Sequence, residues 1–245
     1  MKKIVFLYLL SISLLSYSQD DKYLPTNNGE LVRHQNYILS YIEKHEGAEW
    51  TCYELTPSEL VDSAKRKIGS FIEDKMVSTG SALHSDYTKS GYDRGHLSPA
   101  ADFKFSVEAM NESFYMSNVL PQVPELNRIT WKYLEDDVRT YVEKHNVNLY
   151  IITGGIVFDD HKEIGIKNKI AVPTYFYKMI FDDTDNNIMT IIIPNDSISN
   201  QDYFEYVTSV NRIESLMNLD FFPQLEDISQ DSLENKIVNF NWLSE

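Results

Sequence analysis

The stretch GYDRGHLSPAADF places an acid, a base, a glycine and an imidazole at the consecutive positions Asp93, Arg94, Gly95 and His96. Pro99 follows closely, so the chain turns just after them. An imidazole titrates near neutrality and can accept a proton from water. A guanidinium fork matches the oxygens of a phosphate. About thirty residues later come Asn127, Glu135 and Arg139. An amide oxygen and a carboxylate suit a hard cation such as Mg2+, which takes oxygen ligands and keeps several waters. A base, an oxygen-ligated cation and arginines are what hydrolysis of a phosphate ester requires: an activated water, neutralised phosphoryl charge and help for the leaving oxygen.

These residues need rigid elements to hold them. At about 100° per residue, Trp131, Leu134, Val138, Tyr141 and Val142 form one apolar stripe in LNRITWKYLEDDVRTYVEKH, with Asn127 in its middle. Glu135 and Arg139 lie along one edge, four apart, and face each other. The helix alone leaves two readings open. In one, Asn127 is a cap and Glu135 with Arg139 a surface ion pair worth a few tenths of a kcal/mol. In the other, the edge binds a metal and a phosphate.

NYILSYIEKHEGAEWTCYEL reads as strand, turn at Glu46-Gly47 and strand. TPSELVDSAKRK reads as a short capped helix, and LYIITGGIVF, IAVPTYFYKMIF and NIMTIIIPN read as strands. DYFEYVTSVNRIESLM reads as a second helix. Strands and helices mix without strict βαβ alternation, which indicates an α+β fold. His34, His45, His84, His145 and His161 show no metal-ligand spacing and read as surface or loop residues. The TGG at 153–155 lacks the GxxxxGK[ST] of a phosphate loop, so tight packing is the expected reason for its glycines.

The 245-residue chain is 42% hydrophobic, enough for a sizeable core, and carries a net charge of −15. That charge argues against a protein that coats itself with nucleic acid. The acid is concentrated late: beyond residue 180 only Arg212 and Lys236 are basic. Cys52 is the sole cysteine, which excludes an intrachain disulfide and reads as a small core residue. Residues 1–18 have the Lys-Lys, apolar, small-residue order of a secretory leader, giving secreted or periplasmic localisation and no membrane attachment after removal. The expected divisions are a signal peptide at 1–18, a linker at 19–33, a catalytic domain at 34–225 and an acidic tail at 226–245 that carries enough apolar residues to dock.

The run YDRGHLSPAADF … SNVLPQVPELNRITWKYLEDDVR closely resembles the DNA/RNA non-specific endonucleases, the ββα-metal nucleases. The resemblance covers roughly residues 34–223. It implies a mixed α+β core whose active site is a β-hairpin plus helix. It further implies His96 as general base, Asn127 as the protein ligand to one Mg2+, and Glu135 as the carboxylate holding a water on that ion. Arg94 and Arg139 resemble phosphate-binding arginines, and Asn118 an asparagine near the site. Mn2+ or another divalent cation would be an alternative metal. The implied substrates are DNA and RNA with little sequence preference. The alternatives are a secreted phosphodiesterase of small nucleotides and an inactive binding relative; a homodimer is left open.

Overall fold

The computed structural model describes residues 21–65, 71–199 and 202–237. The expected leader, Arg66 and Lys67, and the tail beyond 237 lie outside them.

A seven-stranded sheet forms the centre, in the order β1 (Glu30–Arg33), β2 (Ile38–Ile42), β3 (Gly47–Leu55), β6 (Leu149–Ile156), β9 (Tyr175–Asp182), β10 (Asn187–Pro194) and β11 (Val207–Thr208). Two ribbons complete the strands: β4 (Asp93–His96) with β5 (Val119–Gln122), and β7 (Glu163–Ile164) with β8 (Ile170–Ala171). The helices are α1 (Val107–Glu112), α2 (Lys132–His145), α3 (Val210–Met217) and α4 (Asp227–Glu234). The α+β class expected from the sequence is the class observed. Every pairing in the central sheet is antiparallel, a sharper outcome than the mixed sheet expected.

The sheet is covered on both faces, which explains why its strands read as near-continuous apolar runs. Side chains alternate between faces. Leu39, Tyr53, Ile151, Phe176 and Ile180 meet Trp131, Leu134 and Val138 on one side. Their strand neighbours Ile38, Cys52, Ile152, Tyr177 and Met179 meet Val210, Ile213 and Leu233 on the other. Cys52 is a buried core residue whose thiol burial pushes up to about 12, far from thiolate chemistry. Among the described residues no helix is long and apolar enough to cross a membrane.

Four local readings differ from the structure. The described part of the expected linker holds β1, paired with β2, and buried Tyr23 and Leu24. Its Asn-Asn-Gly is a tight approach rather than a tether: the Asn28 N–H donates to Glu49 Oε1 at 2.7 Å, and a Cβ on Gly29 would lie 2.1 Å from the Tyr41 carbonyl oxygen. The helix expected in TPSELVDSAKRK is a single 3-10 turn at Pro57–Glu59, closed by Thr56 and Glu59. Beyond it the N–H groups of Ser63 and Ala64 donate to Lys104 O instead of continuing a helix. The second helix starts only at Val210, because Val207 and Thr208 pair with β10 as the edge strand. His34 is buried, not superficial, with Nε2 2.9 Å from Asp74 Oδ2.

The glycines of TGG are there for packing. A Cβ on Gly154 would lie 2.1 Å from Glu49 O, and one on Gly155 would lie 2.7 Å from Leu120 Cδ1. Leu120 belongs to β5, so this close approach seats the β4–β5 ribbon against the sheet.

Candidate active site

In the ribbon, Asp93 faces Gln122 and His96 faces Val119. Gly95 is dictated by space: a Cβ there would lie 2.3 Å from Gln122 Oε1 and 2.6 Å from Gln122 Cβ. Strand alternation puts Arg94 and His96 on one face. The His96 ring lies 5.2 Å from Phe71 and 5.1 Å from Phe114. The Arg94 guanidinium lies 5.5 Å from the Phe71 ring and 5.3 Å from Tyr87, and it donates to the His84 carbonyl at 3.0 Å. His84 Nε2 is 3.3 Å from the same guanidinium nitrogen. Partial burial, then the Arg94 charge, lowers the His84 pKa from its ordinary value.

Asn118 lies behind this face, fully buried. Its amide nitrogen donates to Ser98 O and Ser113 O, both at 2.8 Å, and its oxygen accepts the Ser98 N–H at 2.9 Å. It clamps the turn after His96, with both amide protons given to backbone carbonyls and none left to donate to a ligand.

β5 runs directly into a π-helical segment, Leu126–Trp131, which continues as α2. The wider i→i+5 turn shifts the phase of the helix. Trp131, Leu134, Val138 and Val142 are buried as the periodicity requires, but Asn127 is only partly buried and sits beside β4 instead of in mid-stripe. Its Nδ2 donates to Asp93 Oδ2 at 2.9 Å. Arg128 forks onto the same carboxylate, with Nε and Nη2 both at 2.7 Å. Burial would raise the Asp93 pKa, but these hydrogen bonds and the Arg128 and Arg94 charges outweigh it and hold the pKa below its ordinary value. An ionised carboxylate only accepts hydrogen bonds. The Asn127 nitrogen must therefore face Asp93, which turns Oδ1 outward. That oxygen accepts no hydrogen bond from the described residues and fits a hard cation.

Glu135 and Arg139 lie further along α2, and they do not pair with each other. Arg139 donates to Asp102 Oδ1 and Asp136 Oδ1, both at 2.5 Å. Asp102 also accepts from Tyr53 at 2.7 Å. Beside them Lys178 is buried on the α2 face of the sheet, with Nζ donating to Thr153 Oγ1 at 2.7 Å and 5.1 Å from the Trp131 ring. Burial pushes the Glu135 carboxyl up to about 7, against the opposing Lys178 and Arg139 charges. Burial likewise lowers the Lys178 pKa.

The structure thus gathers Arg94 and His96 on one strand and ties Asn127 to that strand through Asp93. Glu135 and Arg139 sit in a second polar network, where Arg139 braces two carboxylates. Sequence reasoning passed over Phe71, His84, Arg128, Asp102 and Lys178. Only Arg128, next to Asn127, carried a local signal.

The family described as DNA/RNA non-specific endonuclease matches residues 20–228. Mitochondrial endonuclease G of Homo sapiens is 33% identical over 211 residues, covering 80% of this chain and 70% of that protein. A nuclease of Nostoc sp. is 32% identical over 231 residues, covering 88% and 81%. The mitochondrial nuclease EXOG of Danio rerio is 34% identical over 220 residues, and the match spans 83% of this chain but only 64% of that longer protein. The EndoG structure solved as the EndoG/EndoGI complex superposes with a TM-score of 0.72 at 29% identity, over 81% of this chain and 87% of that one. Fold, motif and relatives agree: the chain belongs to the DNA/RNA non-specific endonuclease family.

Proposed function

We propose that the chain is a divalent-cation-dependent endonuclease that hydrolyses phosphodiester bonds of DNA and RNA with little sequence preference. The observation that carries this reading is the Asp93 clamp, which presents an amide oxygen of Asn127 beside the strand bearing Arg94 and His96. The His96 imidazole takes a proton from the attacking water as the new O–P bond forms. The P–O bond to the sugar breaks, and the released alkoxide is protonated from solvent. Arg94, poised between two rings and a carbonyl, binds a non-bridging phosphate oxygen. Asn127 would hold the cation, Mg2+ or Mn2+, with Glu135 as candidate holder of its water; when bound, it would supply positive charge to offset that developing on the leaving oxygen. This chemistry needs no base-reading element, because the reacting group is the backbone common to both polymers.

Incubation with supercoiled plasmid and with a structured RNA should give progressive cleavage of both with Mg2+ and none with EDTA. Turnover should fall as salt screens the few cationic contacts on this acidic chain. Rates independent of substrate length down to dinucleotides would favour the small-nucleotide phosphodiesterase, and no cleavage with any divalent ion would favour a binding relative. The reading includes export: the leader at 1–18 is removed near Ser18, and N-terminal sequencing of the mature chain that still begins at Met1 would refute this part alone.

A further inference from the structure

Far along the chain from the β4–β5 ribbon, α3, the turn after it and α4 bring together Glu214, Asp220 and Glu234. One oxygen from each lies within 4.8 Å of the others. Glu214 Oε1 accepts the Phe221 N–H at 2.8 Å, and Asp220 Oδ1 accepts from Gln230 at 2.6 Å. Glu234 differs from both: its side chain is buried, 5% exposed, and its Oε1 is sealed from solvent with no hydrogen-bond donor. None of the three pairs with a Lys, Arg or His among the described residues. A buried carboxylate oxygen with neither donor nor counter-charge is unstable while ionised, so either a proton or a cation must neutralise it.

We propose that Glu214, Asp220 and Glu234 form a divalent-cation site, suited to Ca2+ and separate from the catalytic one. The donors are all carboxylate oxygens, the chemistry of a hard cation; imidazole or thiolate ligands, which softer metals prefer, are absent from the cluster. Ca2+ accepts irregular geometry and completes its shell with carbonyls and waters, whereas Mg2+ demands a near-ideal octahedron and dehydrates reluctantly. Burial first, then the Glu214, Asp220 and Asp231 carboxylates, pushes the Glu234 carboxyl up to about 7 despite the pull of Gln230. A cation would relieve that crowding. It would also fasten three segments: α3, α4 with its buried Leu233, and, through the Thr26 N–H donating to Asp220 O at 2.8 Å, the N-terminal segment. The ion is thus a clamp on the end of the domain.

The full chain, stripped with EDTA and titrated with CaCl2 alone, tests this. A ligand that binds only the folded state raises the melting temperature with concentration. Ca2+ should do so, and it should slow amide exchange across residues 214–235 at least tenfold. Asp220→Asn with Glu234→Gln should abolish both effects while plasmid cleavage with Mg2+ stays at the wild-type rate. Identical melting and exchange in Ca2+ and EDTA would overturn the proposal, as would a Ca2+ effect undiminished in that double variant and lost in Asn127→Ala. The exchange measurement on the wild-type chain decides the matter even if the double variant does not fold.

Discussion

His96→Ala should lose on the order of 10² to 10⁴ in turnover, the usual cost of removing a general base, while Mg2+ binding persists. The packing of His96 against Phe71 and Phe114 means that the alanine variant also leaves a small void and melts somewhat lower. Turnover must therefore be expressed per folded molecule, and His96→Gln, which restores much of the volume without an imidazole, should recover melting temperature but not rate. A base that must be neutral also makes the wild-type rate rise with pH. The residual rate of His96→Gln should lose that dependence. A glutamine variant with near-normal turnover would show that the DRGH stretch only shapes the ribbon and that the water is activated elsewhere.

How far the sequence reveals such a site depends on whether the placing forces are local. The near-continuous apolar runs through Ile38 and Leu39, Cys52 and Tyr53, and Ile151 and Ile152 are a local signal, and they recovered the central strands. The Trp131, Leu134, Val138 stripe is equally local and recovered α2. Asn127 was found by type and spacing, but its orientation was misjudged because one π turn breaks the 100° period, and no residue type announces such a turn. The Asp93 clamp joins residues 34 positions apart, so neither partner alone reveals it. The same holds for Arg139. Its position four after Glu135 favours a helical ion pair, yet Asp102 wins because it is buried, close and shared with Tyr53. Lys178 carries no signal of its own within an apolar strand run; only the packing of α2 over the sheet shows that it faces Glu135 and Trp131. The asparagine-rich stretch before β1 failed for the opposite reason: turn chemistry is legible, but whether a turn ends in solvent or in a sheet is set by distant strands.

The other large effect concerns how Asn127 is aimed. Asn127→Ala removes the proposed metal oxygen and should weaken Mg2+ binding and abolish most activity, with calorimetry and cleavage measured on the same preparation. That loss does not separate a ligand from a strut, whereas Asp93 does. If the carboxylate's task is to hold the amide nitrogen and so turn Oδ1 outward, Asp93→Ala keeps the ligand but frees the amide to rotate. Loss of an outer partner to a metal ligand typically costs about 10- to 100-fold in affinity or rate, and raising Mg2+ should recover much of the rate. Asp93→Asn retains an acceptor oxygen for the Asn127 N–H, although it loses the charge that holds Arg128. It should therefore lie between the wild type and Asp93→Ala in the Mg2+ concentration needed for half-maximal cleavage, with similar rates at saturation. A purely structural Asp93 would instead lower melting temperature in both variants without shifting that concentration. Should Asn127→Ala bind Mg2+ as tightly as the wild type, the ion is held by other oxygens, and the outward face of this amide has another use.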